Sequence, residues 1–199
     1  AEPVDDGAIL QIKADIQQSN ADAVPLEKAP KVAVYAPPNA APWDDAVTMA
    51  LEYAGIRFEK MWDGDVIGGS LPTYDWLHLH HEDFTGQYSK FYLNYAGALW
   101  LAEMVERNQR MARELGFPHV PALKRAVAQT IANYVEAGGF LFAMCTATET
   151  IDLALASATT DIAASYADGN AMDPDASRKM SWDRTLAFQG ARLEQSPAA

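Results

Sequence analysis

Short apolar runs alternate with longer amphipathic segments along most of the chain from Lys31 onward. Four of these runs are continuously apolar or alternate apolar with polar positions, as buried strands do. The four predicted strands are KVAVYA (31–36), IRFEKMW (56–62), YDWLHLH (74–80) and FLFAMC (140–145). Segments with helical periodicity lie between or after them, which predicts parallel βαβ units. The pattern therefore indicates an α/β fold with a doubly wound, mainly parallel sheet.

Prolines and glycines mark where the predicted helices begin and end. Pro42 and the acidic pair Asp44 and Asp45 favour a helix start after the first strand, and Gly55 favours its end. A second helix is predicted over residues 121–139, between a proline and a glycine pair, and a third over residues 146–158. Each of these helices adjoins a predicted strand, as the α/β pattern requires.

Three further segments complete the predicted domain. Residues 82–118 form a helical and aromatic insertion after the third strand, with a helix from Leu99 to Leu115. DIAASY (161–166) is predicted as a fifth strand, and RTLAFQGARLE (184–194) as a final strand.

The first 30 residues follow a different pattern from the rest of the chain. Residues 5–18 place Ile9, Ile12 and Ile16 on one helical stripe, which predicts a short amphipathic helix. Two prolines between residues 24 and 30 interrupt any regular element, so this stretch is predicted as a connector. The expected organisation is an N-terminal arm and connector (1–30) followed by one α/β domain (31–199).

Composition limits the partners of the chain. Acidic residues outnumber basic ones by 27 to 15 in 199 residues, and the net charge is −12. Such a surface repels phosphate backbones, so no nucleic-acid partner is expected. No apolar run approaches the roughly 18 residues of a membrane span. The single cysteine, Cys145, excludes an internal disulfide. A small-molecule or protein partner is the remaining expectation.

Four segments resemble a known family: LEKAPKVAVYAP (26–37), PWDDAVTMALEYAGI (42–56), YDWLHLHHEDFTGQY (74–88) and GGFLFAMCTATETID (138–152). They are similar to bacterial proteins labelled asparagine synthetase B, whose core resembles the class I glutamine amidotransferase-like superfamily. The resemblance implies a flavodoxin-like sheet, an exported, periplasmic protein, and a chain that is a fragment of a longer one. It does not imply the named synthetase activity, because GDVIGGSLP (64–72) lacks the Asp-Ser of a pyrophosphatase loop. No organic cofactor is expected.

Cys145 lies where a strand runs directly into a helix, between small residues that suit a nucleophile elbow. Helix N–H groups at such a turn would favour a thiolate. The resemblance implies a histidine and an acid after the cysteine, but all four histidines precede it. His80 or His81 could then substitute as the base, with Glu82 or Asp83 to orient it, or a segment that follows this chain in a longer protein could hold the histidine. The alternative is that Cys145 is a packed residue in an elbow that has no catalytic role.

HLHHEDF (78–84) is the densest group of polar side chains in the chain. Imidazole and carboxylate together suit zinc or another divalent metal, and strand ends are where doubly wound folds bind ligands. Asp44 and Asp45 are expected at the same edge. The alternative roles are a satisfied core histidine at position 78 and helix capping by the acids. The candidate metal ligands are His80, His81, Glu82 and Asp83.

Two functions are therefore open. The first is an amidotransferase-like domain that binds a ligand without catalysis, within a larger protein or assembly. The second is a hydrolase or amidotransferase that uses Cys145 as nucleophile. Either function predicts a cleft lined by His80, His81, Glu82 and Cys145, with Tyr88 or Phe91 near its rim.

Overall fold

The computed structural model describes residues 6–19, 28–38, 40, 45–88, 91–191 and 193. Its contacts divide the chain into two units, Ala1–Pro30 and Lys31–Ala199. The first unit contains helix α1 (Asp6–Ser19), on which Ile9 and Ile12 are exposed. Asp44 lies outside the described residues.

The second unit is built on a four-stranded sheet in which every pair of neighbouring strands is parallel. Its strands are β1 (Val32–Tyr35), β2 (Phe58–Met61), β3 (Trp76–Leu79) and β4 (Phe140–Ala143). Their order across the sheet is β2-β1-β3-β4. This is the order of the first four strands in doubly wound sheets of the flavodoxin type, which bind ligands between β1 and β3.

Helices connect the strands and flank the sheet. The described helices of this unit are α2 (Ala46–Tyr53), α3 (Asp63–Ile67), α4 (Phe91–Tyr95), α5 (Leu99–Glu114), α6 (Val120–Glu136), α7 (Thr146–Ala156), α8 (Ser165–Asp168) and α9 (Ala176–Lys179). Two short 3-10 helices lie at Leu71–Thr73 and Trp182–Arg184. No helix of the described residues is both long and apolar enough to cross a membrane.

The alternating side chains of the strands divide the core into two layers. Leu77 and Leu79 of β3 belong to the larger layer with Leu123, Val127 and Ile131 of α6. These helical positions recur every four residues, so they lie on one apolar face. The smaller layer joins the opposite face of β1 to Leu51 of α2. Burial on both faces accounts for the continuously apolar sequence of β1.

Neither of the two C-terminal segments predicted as strands forms one in the described residues. In the first segment, 161–166, the side chain of Asp161 accepts a hydrogen bond from Ala163 N, and Gln87 Oε1 accepts one from Ala164 N. Side chains therefore take the backbone groups that a strand would offer to its neighbour. The prediction of a fifth strand was wrong for this reason.

The final segment, 184–194, fails as a strand because its amide groups converge on one carboxylate. The buried Asp152 of α7 accepts hydrogen bonds from Leu186 N, Ala187 N and Phe188 N at 2.7, 3.0 and 2.7 Å. Successive amides of a strand point to opposite sides, so three in a row cannot face one acceptor there. The apolar residues of this segment predicted a strand, but the loop wraps around Asp152 instead.

Candidate functional site

Cys145 occupies a strained turn between β4 and α7. It is the N-cap residue of α7 and has φ 54° and ψ −140°, in the half of the backbone map that non-glycine residues rarely adopt. Such a conformation costs on the order of 1–3 kcal/mol. The side chain is exposed, so the turn displays the thiol at the carboxyl edge of the sheet.

The strain at Cys145 predicts an unusual order of stability for substitutions. Cys145→Ala keeps the Cβ atom and the strain, whereas Cys145→Gly removes both, so the glycine variant should be more stable by about 1 kcal/mol. Glu149, an exposed residue within α7, provides the matched control, because there glycine should be less stable than alanine by about 1 kcal/mol. Chemical denaturation of the four variants measures both differences. The same order at both positions would contradict a strained turn.

Backbone hydrogen bonds hold the turn against the end of β3. Met144 N donates to Leu79 O at 3.1 Å, and Ala147 N donates to His80 O at 3.4 Å. Cys145 therefore lies beside the loop that carries the predicted histidines. Among the described residues, however, the only hydrogen-bond contact of Cys145 Sγ is Thr146 Oγ1, at 3.8 Å. None of the described imidazoles and carboxylates is bonded to the thiol.

The two histidines after β3 instead converge on Asp45. His80 Nδ1 lies 2.5 Å from Asp45 Oδ2 and 3.0 Å from His81 Nδ1. His81 Nδ1 is 3.7 Å from the same Asp45 oxygen. Because Asp45 follows β1 and both histidines follow β3, the cluster straddles the boundary between β1 and β3. That boundary is the position where doubly wound sheets bind ligands.

Asp45 has two roles at this position. One carboxylate oxygen caps α2 by accepting a hydrogen bond from Val47 N at 2.7 Å, and the other faces His80. Partial burial acts to raise the pKa of Asp45, but the hydrogen bonds from His80 and Val47 N outweigh it and hold the pKa below its usual range. The carboxylate is therefore charged and fixed in place from both sides.

Burial and the neighbouring His80 lower the pKa of His81, so its imidazole is neutral over a wider pH range.

His78, two residues before His80 and within β3, is a core residue. Its pKa is lowered first by burial, and its ring stacks on Phe142 with centroids 5.4 Å apart. Among the described residues neither of its ring nitrogens has a hydrogen-bond partner. The alternative prediction of a core histidine at position 78 is right about its burial, but the ring lacks the hydrogen bonds to described residues that this prediction assumed.

Glu82 and Asp83 do not join the cluster formed by Asp45, His80 and His81. Glu82 Oε2 accepts a hydrogen bond from His80 N at 2.8 Å, which fixes the turn that follows β3. Asp83 Oδ1 accepts one from Thr85 N at 2.9 Å. Burial raises the pKa of Glu82 to about 7, although the backbone N–H of His80 and the charge of Lys124 act against the increase. Glu82 thus supports the histidine loop.

The raised pKa of Glu82 predicts a pH-dependent stability. Its pKa is about 7 in the folded protein against an ordinary 4.5, so the folded state binds the proton more tightly than the unfolded state. The resulting stabilisation is present below about pH 4.5 and is lost as the pH rises to about 7. Glu82→Gln keeps the acceptor for His80 N and cannot ionise.

We therefore expect Glu82→Gln to gain about 2 kcal/mol relative to the unmodified protein between pH 5 and pH 8. Urea denaturation at the two pH values, with a chelator present, measures this change. Contributions from other titrating groups cancel in the comparison. A difference between the two proteins that does not vary with pH would contradict the burial of an ionisable Glu82.

A buried charged network beneath the edge was missed in the sequence. Lys124 Nζ donates hydrogen bonds to Asp63 Oδ1 at 2.9 Å and to the Tyr35 hydroxyl at 3.0 Å. Burial and the charge of Asp63 raise the pKa of Tyr35 well above its usual value, so its hydroxyl stays protonated and donates to Asp63. The ammonium also lies 4.1 Å from the centre of the Trp62 ring. The signal in the sequence was Lys124 itself, a lysine on the otherwise apolar face of α6.

Three cavities on the described surface are lined by residues other than those of the predicted cleft. A cavity of about 410 Å³ lies at the opposite edge of the sheet, against Tyr74 and Tyr134. A second adjoins His119, and the third adjoins Arg125. Tyr88 is buried, with 8% of its surface exposed, and the side chain of Phe91 lies outside the described residues. None of these three cavities lies at the polar edge that carries His80, His81 and Cys145.

Comparisons of the chain with protein-family models, with curated proteins and with solved structures find no significant match.

Proposed function

We propose that residues 31–199 form a class I glutamine amidotransferase-like domain that binds a ligand at the carboxyl edge of its sheet, within a larger protein or assembly, and performs no thiol-dependent transfer. The parallel sheet with the order β2-β1-β3-β4 supports the fold assignment. The resemblance of four sequence segments to proteins labelled asparagine synthetase B points to the same superfamily.

The observation that carries the proposal is the arrangement of the two histidines. His80 is bonded to Asp45 and His81, whereas within the described part of the chain the Cys145 thiol has a hydrogen-bond contact only with the Thr146 hydroxyl. A thiol nucleophile needs a base within hydrogen-bond reach, and the base needs a group that orients it. Asp45 is an acid that could orient His80, and the two are paired. Neither of them is bonded to the Cys145 thiol.

The strained turn favours a second candidate function. An exposed thiol with φ 54° at the start of a helix has the geometry in which nucleophile elbows hold their reactive group. Under this alternative, His80 or His81 would turn towards Cys145 when substrate binds, and Asp45 or Glu82 would orient the imidazole. Cys145 would then give its proton to the imidazole and attack the carbonyl carbon of an amide or ester; the amine or alcohol would leave with that proton, and water would hydrolyse the resulting acyl-enzyme to release the acid and the free thiol.

Acylation of the thiol separates the two functions. Beyond the direct acylation that any exposed thiol undergoes, the protein should turn over neither p-nitrophenyl acetate nor glutamine faster than Cys145→Ala does. His80→Ala should likewise cause no change. An initial burst of p-nitrophenol that disappears in both variants would establish a Cys145–His80 catalytic pair and overturn the proposal.

A further inference from the structure

We infer that Asp45, His80 and His81 bind one divalent transition-metal ion of the zinc class at the carboxyl edge of the sheet. The three residues offer one ligand atom each, and these atoms all lie within 4.8 Å of one another. This inference deepens the proposed binding function, on which it rests for the position of the site, by naming the ion that the edge would bind.

The hydrogen-bonding capacity of His80 points to an ion rather than to a closed hydrogen-bond network. Its Nδ1 atom has either one hydrogen or one in-plane lone pair, and so serves one partner well. It nevertheless lies 2.5 Å from Asp45 Oδ2 and 3.0 Å from His81 Nδ1. Two imidazole nitrogens and a carboxylate oxygen that converge on one point are satisfied together by a cation among them.

The spacing of the three atoms fits a small metal ion. Bonds of about 2.0–2.2 Å from zinc to nitrogen and oxygen place neighbouring tetrahedral ligands about 3.3 Å apart. The observed separations are 2.5 and 3.0 Å around His80 Nδ1, and 3.7 Å between His81 Nδ1 and Asp45 Oδ2. Movements of less than about 1 Å would make the three separations equal, and a rotation of the half-exposed His81 ring supplies movements of this size.

The surrounding structure already orients the ligands. Val47 N holds the second oxygen of Asp45, which leaves Oδ2 directed at the histidines. Glu82 Oε2 holds the backbone N–H of His80 at 2.8 Å and so fixes the turn on which both imidazoles lie. Metal ligands in proteins are commonly held in this way by a second set of hydrogen bonds.

Ligand type and charge select the class of ion. Two imidazoles with one carboxylate suit zinc and its neighbours, whereas magnesium prefers oxygen ligands. The net charge of −12 raises the local concentration of cations. Three ligands from the described residues leave at least one coordination position for water or for an oxygen donor of a ligand, as in zinc sites that bind substrates.

Calorimetric titration of the chelator-treated protein with zinc chloride tests the inference. One zinc per chain should bind, and Asp45→Asn, His80→Ala and His81→Ala should each weaken binding by at least about 100-fold. Asparagine is also a good N-cap, so Asp45→Asn keeps α2 intact. Circular dichroism checks that each variant folds.

Two controls should bind zinc as the unmodified protein does. His119→Asn removes an imidazole that caps α6 through Ala122 N, while asparagine preserves the cap. Cys145→Ala tests whether the thiol is a ligand. Magnesium chloride in place of zinc should give no saturable binding.

Absence of saturable zinc binding, binding that persists in all three ligand variants, or equal binding of magnesium would each overturn the inference. These failures are distinct from failure of the proposed function. A Cys145 acyl-enzyme would overturn that function and leave zinc binding standing, whereas an unreactive thiol without zinc binding would overturn only the metal site.

Discussion

Replacement of Lys124 by methionine should destabilise the protein by about 3–5 kcal/mol, because it leaves the buried carboxylate of Asp63 without its cationic partner. Lys124 and Asp63 have 4% and 1% of their side-chain surfaces exposed. Methionine fills a similar volume, so the loss reports the stranded charge rather than a cavity. Chemical denaturation of the two proteins measures the difference.

Two further variants separate charge from packing. Lys124→Met combined with Asp63→Asn removes both charges and keeps an acceptor for the Tyr35 hydroxyl, so it should regain a large part of the lost stability. Lys179→Met breaks the exposed pair with Asp173 and should change the denaturation midpoint little. If Lys124→Met were no more damaging than Lys179→Met, the buried network would be contradicted.

Asp152→Ala should cost about 2–4 kcal/mol and release the loop of residues 186–188. The carboxylate accepts three backbone hydrogen bonds from that loop, and hydrogen bonds to charged groups contribute more than neutral ones. Denaturation measures the energy, and amide hydrogen exchange at residues 186–188 measures the release. Exchange in this loop should accelerate strongly.

Asp161→Ala is the matched control for Asp152→Ala. The Asp161 side chain accepts one backbone hydrogen bond, from Ala163 N, so its loss should cost only about 1 kcal/mol. Exchange at residues 186–188 should then be unchanged. Equal costs for the two substitutions, or slow exchange in Asp152→Ala, would show that the carboxylate does not organise the loop.

The sequence pattern was sufficient to predict the strands, helices and turns that depend on residues close together in the chain. The four strands and the helices beside them follow from apolar periodicity, and the turn at Cys145 follows from an apolar run that meets a helix. Asp45 was predicted at a helix start, which is where it caps α2. Each of these features depends on residues that are close together in the chain.

Features that depend on distant residues could not be predicted in this way. Asp45 and His80 are 35 positions apart, and Lys124 and Asp63 are 61 apart. Their pairing depends on strand order and on helix rotation rather than on a motif. The final segment likewise has the composition of a strand, but Asp152, over 30 positions earlier, takes its amide groups.

Alkylation of Cys145 by iodoacetamide across a range of pH tests the central claim, that the imidazoles serve the Asp45 cluster and not the thiol. The chain has one cysteine, so every labelled residue reports this position. We expect the labelling rate at every pH to be the same in His80→Ala and His81→Ala as in the unmodified protein, because neither imidazole is bonded to the thiol. A rate that falls severalfold when His80 or His81 is replaced would contradict the account.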